Sequence, residues 1–217
     1  MKISILLSSI VIVSSLSTSA VYADELKVKI TKKIASVDVM HNGKKVTIQR
    51  NQDNKNMVNK AFAKTSRNCP PFCINPISLA PGVETLGELE VLDYLKKMSD
   101  GDGNILVIDS RTPNWVERGT IPGAVNIPWT LLSVKKGADP LSIAEIVTEK
   151  FNAKELDDDK FDYSNAKILV MFCNGMWCGQ SPNNIRTLLK MGYPADKIKW
   201  YRGGMQNWEN LGFTTVK

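Results

Sequence analysis

The sequence predicts an α/β domain built on a mainly parallel sheet, preceded by a small β-rich N-terminal segment. Two patterns carry this expectation. From about residue 84 onward, short unbroken apolar runs such as NILVIDSR and KILVMF alternate with longer stretches whose apolar residues recur at helical spacing. Unbroken apolar strands are covered on both faces, as in parallel sheets, and alternating strands and helices supply the crossovers that parallel pairing needs. Before residue 84 the pattern changes: SVDVMHNGKKVTIQR alternates apolar and polar residues on both sides of Asn42-Gly43. An Asn-Gly pair in that setting is a hairpin signal, because both turn residues take positive φ.

The elements follow in chain order. Residues 1–23, MKISILLSSIVIVSSLSTSAVYA, hold one lysine, an apolar serine-rich run and small residues before an acid. That is the order of a secretory signal peptide, cut after Ala23 or, as second choice, after Ala20. Its apolar part is short and broken by serines, whereas a spanning helix needs about 20 apolar residues. No stable membrane span is expected after cleavage. The expected compartment is the periplasm, with secretion as second choice. Residues 24–82 form the β-rich extension and a linker: a strand at 27–30, the hairpin, a polar lysine-rich stretch at 51–68 in loop or short helix, and CPPFCINPISLAPG, whose prolines argue against regular structure.

Residues 83–217 form the α/β domain. TLGELEVLDYLKKM sets Leu86, Leu89, Leu92 and Leu95, with Val91, on a helical stripe. NILVIDSR and GAVNIPW read as strands, LSIAEIVTEKFN as an amphipathic helix, DDDKFDYSNA as a polar loop and KILVMF as a third strand. SPNNIRTLLKMGY is a helix ended by Gly192, with Ser181 suited to the N-cap and Pro182 to the first helical position. KIKWY is the fourth strand and GGMQNWENLG the closing helix.

Composition narrows the chemistry. The net charge is +6, but the lysines are scattered, and a nucleic-acid site would need a dense basic stripe with interleaved aromatics. Diffuse positive charge suits a solvated surface and anionic substrates. A single histidine, His41, gives no basis for a histidine-rich metal site or a Ser-His-Asp triad. Neither a metal nor an organic cofactor is expected. The four cysteines fall in two close pairs, Cys69 with Cys73 and Cys173 with Cys178. In an exported protein an even count points to disulfides, and a local Cys69–Cys73 disulfide that stiffens the proline-rich stretch is the plain reading. The alternatives are disulfide exchange with the second pair and a joint four-cysteine metal site, although the spacings depart from two-residue knuckles.

The stretch FCNGMWCGQSP concentrates the chemistry. Cys173 stands at the carboxyl end of the third strand, where open α/β sheets bind ligands. Asn174, Gly175, Met176, Trp177, Cys178, Gly179, Gln180 and Ser181 lead from it to a helix N-terminus. Inward-pointing N–H groups and the helix dipole there favour a thiolate or a bound anion. Gly175 and Gly179 suit the tight or left-handed turns of such a cradle. The alternative is a buried structural cysteine, a common fate for that residue.

Three ordered motifs between about residues 84 and 217 resemble the rhodanese family of sulfurtransferases. ILVIDSRTPNWVERGTIPGAVNIPW resembles that family's Asp-x-Arg … Gly-His-Ile-Pro-Gly-Ala-x-Asn-Ile-Pro signature. ILVMFC with its glycine-bearing loop resembles the catalytic strand and loop, and YRGGMQNW the closing Gly-Gly-x-x-x-Trp. The resemblance implies a rhodanese-like fold and an enzyme that carries sulfane sulfur as a persulfide on Cys173. The donor would be of the thiosulfate or persulfide type and the acceptor a thiol, a partner protein among the candidates. The backbone N–H groups of residues 174–179 would cradle the persulfide.

The sequence also departs from the family's pattern. Positions 174–181 hold no arginine or lysine, which leaves Arg186 as the candidate contact for an anionic donor. Thr120 stands where the motif carries histidine. Gly179 stands where phosphatase relatives place the arginine of Cys-x5-Arg that clamps phosphate oxygens, so phosphatase activity is not expected. Cys178 reads as a resolving thiol, as half of a resting disulfide, or as a bystander. The rival functions are therefore a thiol–disulfide redox protein using Cys173 and Cys178, and a non-catalytic binding module. Asp109 and Arg111 read as a structural ion pair or a cap near the strand end, with a catalytic acid–base pair as the alternative, and Met176 and Trp177 as an apolar lip or as packing.

Overall fold

The structure is a computed structural model that describes residues 26–156 and 160–217; the signal peptide expected over residues 1–23 lies outside them. β1 (Ser36–His41) and β2 (Lys44–Gln49) form the antiparallel hairpin, joined by Asn42 and Gly43 at φ 49° and 74°. Residues 27–30, expected as a strand, are irregular. The Gln52 side chain accepts from the Val28 N–H and donates to the Val28 carbonyl, at 3.1 and 3.0 Å. A side chain thus satisfies the backbone that a ladder would otherwise have to pair.

Five parallel strands make the main sheet, in the spatial order β3 (Glu84–Leu86), β9 (Ile198–Tyr201), β8 (Ile168–Phe172), β4 (Ile105–Asp109), β5 (Val125–Asn126). β3 corrects the sequence reading. Thr85 and Leu86 pair with Trp200 and Tyr201, and α1 (Glu88–Ser99) starts only after Gly87, whose N–H donates to the Glu90 carboxylate at 3.1 Å. α1 buries Val91, Leu92 and Leu95 and leaves Leu89 exposed, the i, i+1, i+4 face of a helix rather than a stripe at every third residue. α2 (Pro113–Val116) follows β4, and α3 (Pro140–Glu145) runs on into a π-helical turn at Ile146–Lys150. The expected polar loop near residue 160 contains a strand, β7 (Phe161–Asp162), paired with β6 (Lys154–Glu155). α4 (Gln180–Lys190) and α5 (Gly204–Asn210) complete the chain.

Each face of the sheet carries its own apolar layer. Val107, Val170, Phe172 and Tyr201 pack with Leu92 and Leu95 of α1 and with Met205 and Trp208 of α5. On the opposite face Ile108, Leu169, Met171 and Trp200 pack with Ile185 and Leu188 of α4. Successive residues of β8 therefore point into different layers and are all apolar, which explains its lack of alternation. Val39 and Ile48 of the hairpin and Phe62 belong to the first layer. A buried side chain of that size contributes about 1.5–3 kcal/mol, so three of them hold the N-terminal segment firmly to the sheet.

The register decides where the chemistry sits. Asp109 of β4 lies opposite Phe172 of β8, which lies opposite Tyr201 of β9. Three neighbouring strands end level, so the residues that follow each of them crowd together at one sheet edge. Among the described residues no helix is long and apolar enough to cross a membrane.

Candidate active site

Cys173 is the first residue beyond β8, and its sulfur is buried. The Ser181 hydroxyl donates a hydrogen bond to it at 3.1 Å. The direction of that bond is fixed from behind. The Trp200 indole N–H, which can only donate, reaches the Ser181 oxygen at 3.3 Å. Ser181 must accept there and so turns its own proton toward the sulfur. The backbone N–H groups of Ser181 and Gly175 also point at Cys173, and the Cys178 thiol lies within hydrogen-bond reach of it. Burial opposes ionisation of Cys173, yet the Cys178, Ser181 and backbone hydrogen bonds outweigh it and lower the thiol to about 7, below the ordinary cysteine value of about 8.5. The Cys178 thiol is driven strongly the other way, first by burial and then by the Cys173 sulfur beside it. One sulfur is thus set to ionise and its neighbour to stay protonated, an arrangement that activates a nucleophile.

Ser181 is therefore not the N-cap. α4 starts two residues earlier than expected, at Gln180, with Gly179 as its cap and Pro182 at the third position. Ser181 lies on the inner side of the first turn because that turn packs against Trp200 of β9. Gly179 has φ −91° and is right-handed, so it does not provide the expected left-handed turn. Gly175 does take a positive φ, 157°, and a Cβ there would press on the Gln206 side chain at 3.0 Å.

The cysteine loop is held from three sides. From α5, the N–H groups of Met205 and Gln206 donate to the carbonyls of Cys173 and Asn174, each at 2.9 Å. Gly204 makes this approach possible. It sits at φ 54°, and a Cβ on it would fall onto the Cys173 carbonyl oxygen and within 2.8 Å of the Gly175 nitrogen. From within, the Cys178 N–H donates to the Gly175 carbonyl at 2.8 Å and is therefore not one of the inward donors. From the N-terminal segment, Asn75 donates its backbone N–H to the Met176 carbonyl at 2.8 Å, and its side-chain amide to the Met176 and Cys178 carbonyls at 3.1 and 3.2 Å. Arg202, just past β9, donates twice to the Asn75 carbonyl, at 3.1 and 2.8 Å.

Trp177 packs rather than forming a free lip. Its indole N–H donates to Gln206 at 2.7 Å, Phe72 meets its ring edge-on at 5.8 Å between centroids, and the Arg67 guanidinium lies 3.6 Å above its face. Cys69 and Cys73 have their sulfurs in contact and their Cα atoms 4.6 Å apart, and Phe72 and Asn75 place the proline-rich turn they close beside the cysteine loop. Arg186 is exposed on α4 and lines a neighbouring cleft with Lys135 and Lys190, which meets the cysteine loop only at Gly179. Among the described residues no three His, Cys, Asp or Glu side chains converge as a metal site requires.

Next to the loop, Asp109 and Arg111 form a fully buried ion pair at 2.6 Å. Arg111 also donates to the Gly119 carbonyl at 2.7 Å, and the Thr120 hydroxyl donates to Asp109 at 2.7 Å. Thr120 thus supplies a hydrogen bond to this network where the family motif carries histidine. The pair holds the backbone turns that lead away from β4, and Arg111 also donates to the Asn174 side chain of the cysteine loop at 3.5 Å.

The sequence matches the profile of the rhodanese-like domain over residues 91–211, more than half of the chain. The chain belongs to the rhodanese-like domain family. No curated protein matches it. Among solved structures it is similar to the thiosulfate sulfurtransferase of Pseudomonas aeruginosa, with 19% identity over 62% of this chain and 20% of that one, at a TM-score of 0.40. It is similar to a human single-domain sulfurtransferase, with 20% identity over 60% and 97% of the two chains and a TM-score of 0.34. A Rhodopseudomonas palustris protein of unknown function, titled a possible tyrosine phosphatase, has 19% identity over 64% and 88%, with a TM-score of 0.41.

In this rhodanese-like domain the structure brings together Cys173, Cys178, Asn174, Gly175, Trp177, Gln180 and Ser181 and leaves Arg186 apart. The inward N–H groups come from Gly175 and Ser181 toward Cys173, and from Asn174 and Gln180 toward Cys178. The cradle therefore extends past residue 179 into the first turn of α4. Sequence reading missed Trp200 as orienter of Ser181, and Arg67, Asn75 and Arg202 as residues of the loop's surroundings. The adjacent glycines of YRGG were the one local signal of a close backbone approach.

Proposed function

We propose that this protein is an exported, periplasmic sulfurtransferase whose sulfur carrier is Cys173. The observation that carries the reading is the hydrogen-bond chain from Trp200 through Ser181 to a buried sulfur lowered to about 7. The Cys173 thiolate attacks the outer, sulfane sulfur of a donor such as thiosulfate. The donor's S–S bond breaks, its electron pair leaves with sulfite, and Cys173 becomes a persulfide. An acceptor thiolate then attacks the terminal sulfur, leaves as a persulfide itself and returns Cys173 to the thiolate. The N–H groups of Gly175 and Ser181 stabilise the anionic sulfur at each stage. Residues 83–217 act as the transferase domain and residues 24–82 as its cover, with Cys69 and Cys73 joined as a disulfide in the oxidising compartment.

A second reading is favoured by one observation, the Cys178 thiol within reach of Cys173. Once deprotonated, Cys178 attacks the inner sulfur of the Cys173 persulfide, releases hydrosulfide and leaves a Cys173–Cys178 disulfide. Intact mass spectrometry of the reduced mature protein, exposed anaerobically to thiosulfate or to a small persulfide and then peptide-mapped, tests both. One sulfur atom gained on Cys173 supports transfer. No added sulfur, with a Cys173–Cys178 disulfide forming instead, overturns it in favour of a dithiol couple. Cys173→Ser and Cys178→Ser then separate the roles: transfer with an auxiliary Cys178 is lost only in the first, whereas a couple is lost in both.

A further inference from the structure

We infer that Arg67, from the N-terminal segment, is the donor-binding cation of this site, holding a compact sulfur oxyanion against the cysteine loop. The inference rests on the sulfurtransferase reading and names the residue that gives it an anionic donor. The loop itself has no positive side chain. The structure brings one in from outside the family-matched region. Arg67, Asn174, Trp177, Cys178, Gly179 and Gln180 line a cavity of about 160 Å³ beside the cysteines. Arg67 makes no hydrogen bond or ion pair among the described residues; it lies on the Trp177 face, and its Nε is buried without a partner. The side chain is half-buried, and a desolvated Nε–H with no acceptor is costly unless something accepts it. No Asp or Glu lines the cavity to do so.

The remaining walls suit the same ligand. Gly179 and Gln180 bring the N-terminus of the eleven-residue helix α4, the positive end of its dipole, to the cavity. Lys64 lines an adjoining cavity that shares Arg67 and Phe72 as its wall, so the approach is also positive. Size sets the class of ligand. The volume is well below the roughly 300 Å³ at which drug-sized sites begin, and it accommodates thiosulfate but not a folded partner. Bound there, the sulfonate oxygens accept from Arg67 and the sulfane sulfur points to the cysteine end. Cys178 forms that wall, with the Cys173 sulfur behind it, so a turn of the Cys178 side chain about its Cα–Cβ bond uncovers the nucleophile. As the S–S bond breaks, charge grows on the departing sulfite, and Arg67 is placed to accept it.

The test compares two donors on full-length mature protein. Arg67→Met keeps the stem packed on Trp177 and removes the charge, and Arg67→Lys restores a charge without the fork. The ratio of kcat/KM for thiosulfate to kcat/KM for the persulfide of 2-mercaptoethanol is expected to fall about ten- to hundredfold in Arg67→Met, as for loss of a charge-assisted hydrogen bond, and to recover in part in Arg67→Lys. A ratio unchanged in Arg67→Met overturns the inference and assigns Arg67 to packing. If the unmodified protein takes sulfur from neither donor, the transferase reading fails instead, and calorimetry with thiosulfate on Cys173→Ser decides the site alone. Heat of binding that is lost in Cys173→Ser/Arg67→Met upholds it, and absence of binding to Cys173→Ser overturns it.

Discussion

The hydroxyl of Ser181 offers the sharpest test of how this site makes a nucleophile. Replacing Ser181 by alanine deletes its hydrogen bond to the Cys173 sulfur, 3.1 Å in length, and leaves the loop's backbone donors in place. A hydrogen bond to a charged group is worth about 1.5–3 kcal/mol, and one pKa unit corresponds to about 1.4 kcal/mol. From its starting point of about 7, Cys173 should therefore rise by about one to two units in Ser181→Ala. At pH 7 the thiolate fraction falls from about one half to about 1–10%. The assay is the rate of iodoacetamide alkylation at Cys173, peptide-mapped to separate it from Cys178, across roughly pH 5 to 10. The midpoint should move up while the rate on the alkaline plateau is retained, since a more basic thiolate is no weaker a nucleophile. A second effect is separable. Alanine leaves the Trp200 N–H without its acceptor, and an orphaned buried donor costs about 1–3 kcal/mol, which a lower Tm reads. A midpoint identical to that of the unmodified protein refutes the reasoning, whatever the Tm does.

Three further outcomes follow from the same geometry. Arg111→Met leaves the buried Asp109 carboxylate unpaired and should destabilise the fold by about 3–5 kcal/mol, measured by urea denaturation; a loss under about 1 kcal/mol would mean the pair is not structural. Gly204→Ala places a side chain at φ 54° against the Cys173 carbonyl, so alkylation of Cys173 at pH 7 should slow in a protein that still folds, and an unchanged rate would separate the loop from α5. His41 accepts the Gly123 N–H on Nδ1 at 3.1 Å, and burial lowers its pKa from the ordinary value of about 6.5. Neutral His41 is thus the form the fold favours. Its contribution is complete above about pH 6.5 and is lost as pH falls through the lowered value, so the urea midpoint should drop on acidification from about pH 7.5 toward 5.5 and the drop should shrink in His41→Gln.

The sheet was legible because its strands are simple. Ile168 to Phe172 are apolar without a break, since both faces are covered, and the chain turns to glycine and polar residues immediately after. β3 was not legible: three residues, Glu84, Thr85 and Leu86, run into the Leu-rich helix that follows, and only pairing with β9 makes them a strand. Cys173 could be placed by position, at the carboxyl end of the central strand. The role of Ser181 could not, because it depends on whether α4 starts at residue 180 or 182, a boundary that local capping rules leave open by a residue or two. Ser181 satisfies the N-cap preference perfectly well, and packing against Trp200 decides otherwise. Arg67 was illegible for a different reason. It lies more than a hundred residues before the loop in a polar stretch, and nothing in its neighbours signals that Phe72 and Asn75 fold the segment back over Trp177.

The same contacts constrain how a donor can reach the sulfur. The loop carbonyls of residues 173, 174, 175, 176 and 178 are all engaged, by α5, by the loop itself and by Asn75. Opening the loop as a backbone movement would break several of these hydrogen bonds at once, each worth about 0.5–1.5 kcal/mol net. A side-chain movement breaks far less: the Cys178 thiol holds only long contacts, one of them to Gln180 at 3.7 Å. The rigid part of the site is thus the Ser181 and backbone donors around Cys173, and the movable part is the Cys178 sulfur, which gives up its own hydrogen bond to Cys173 when it turns. That division suits the proposed sulfur carrier, because a persulfide cradle must keep its shape through both half-reactions while the group in front of it turns aside and back. Under the proposed sulfurtransferase reading it also gives the N-terminal segment a purpose beyond added stability. By fixing residues 176 and 178 through Asn75, the segment leaves rotation about a single side-chain bond as the low-energy route to the nucleophile.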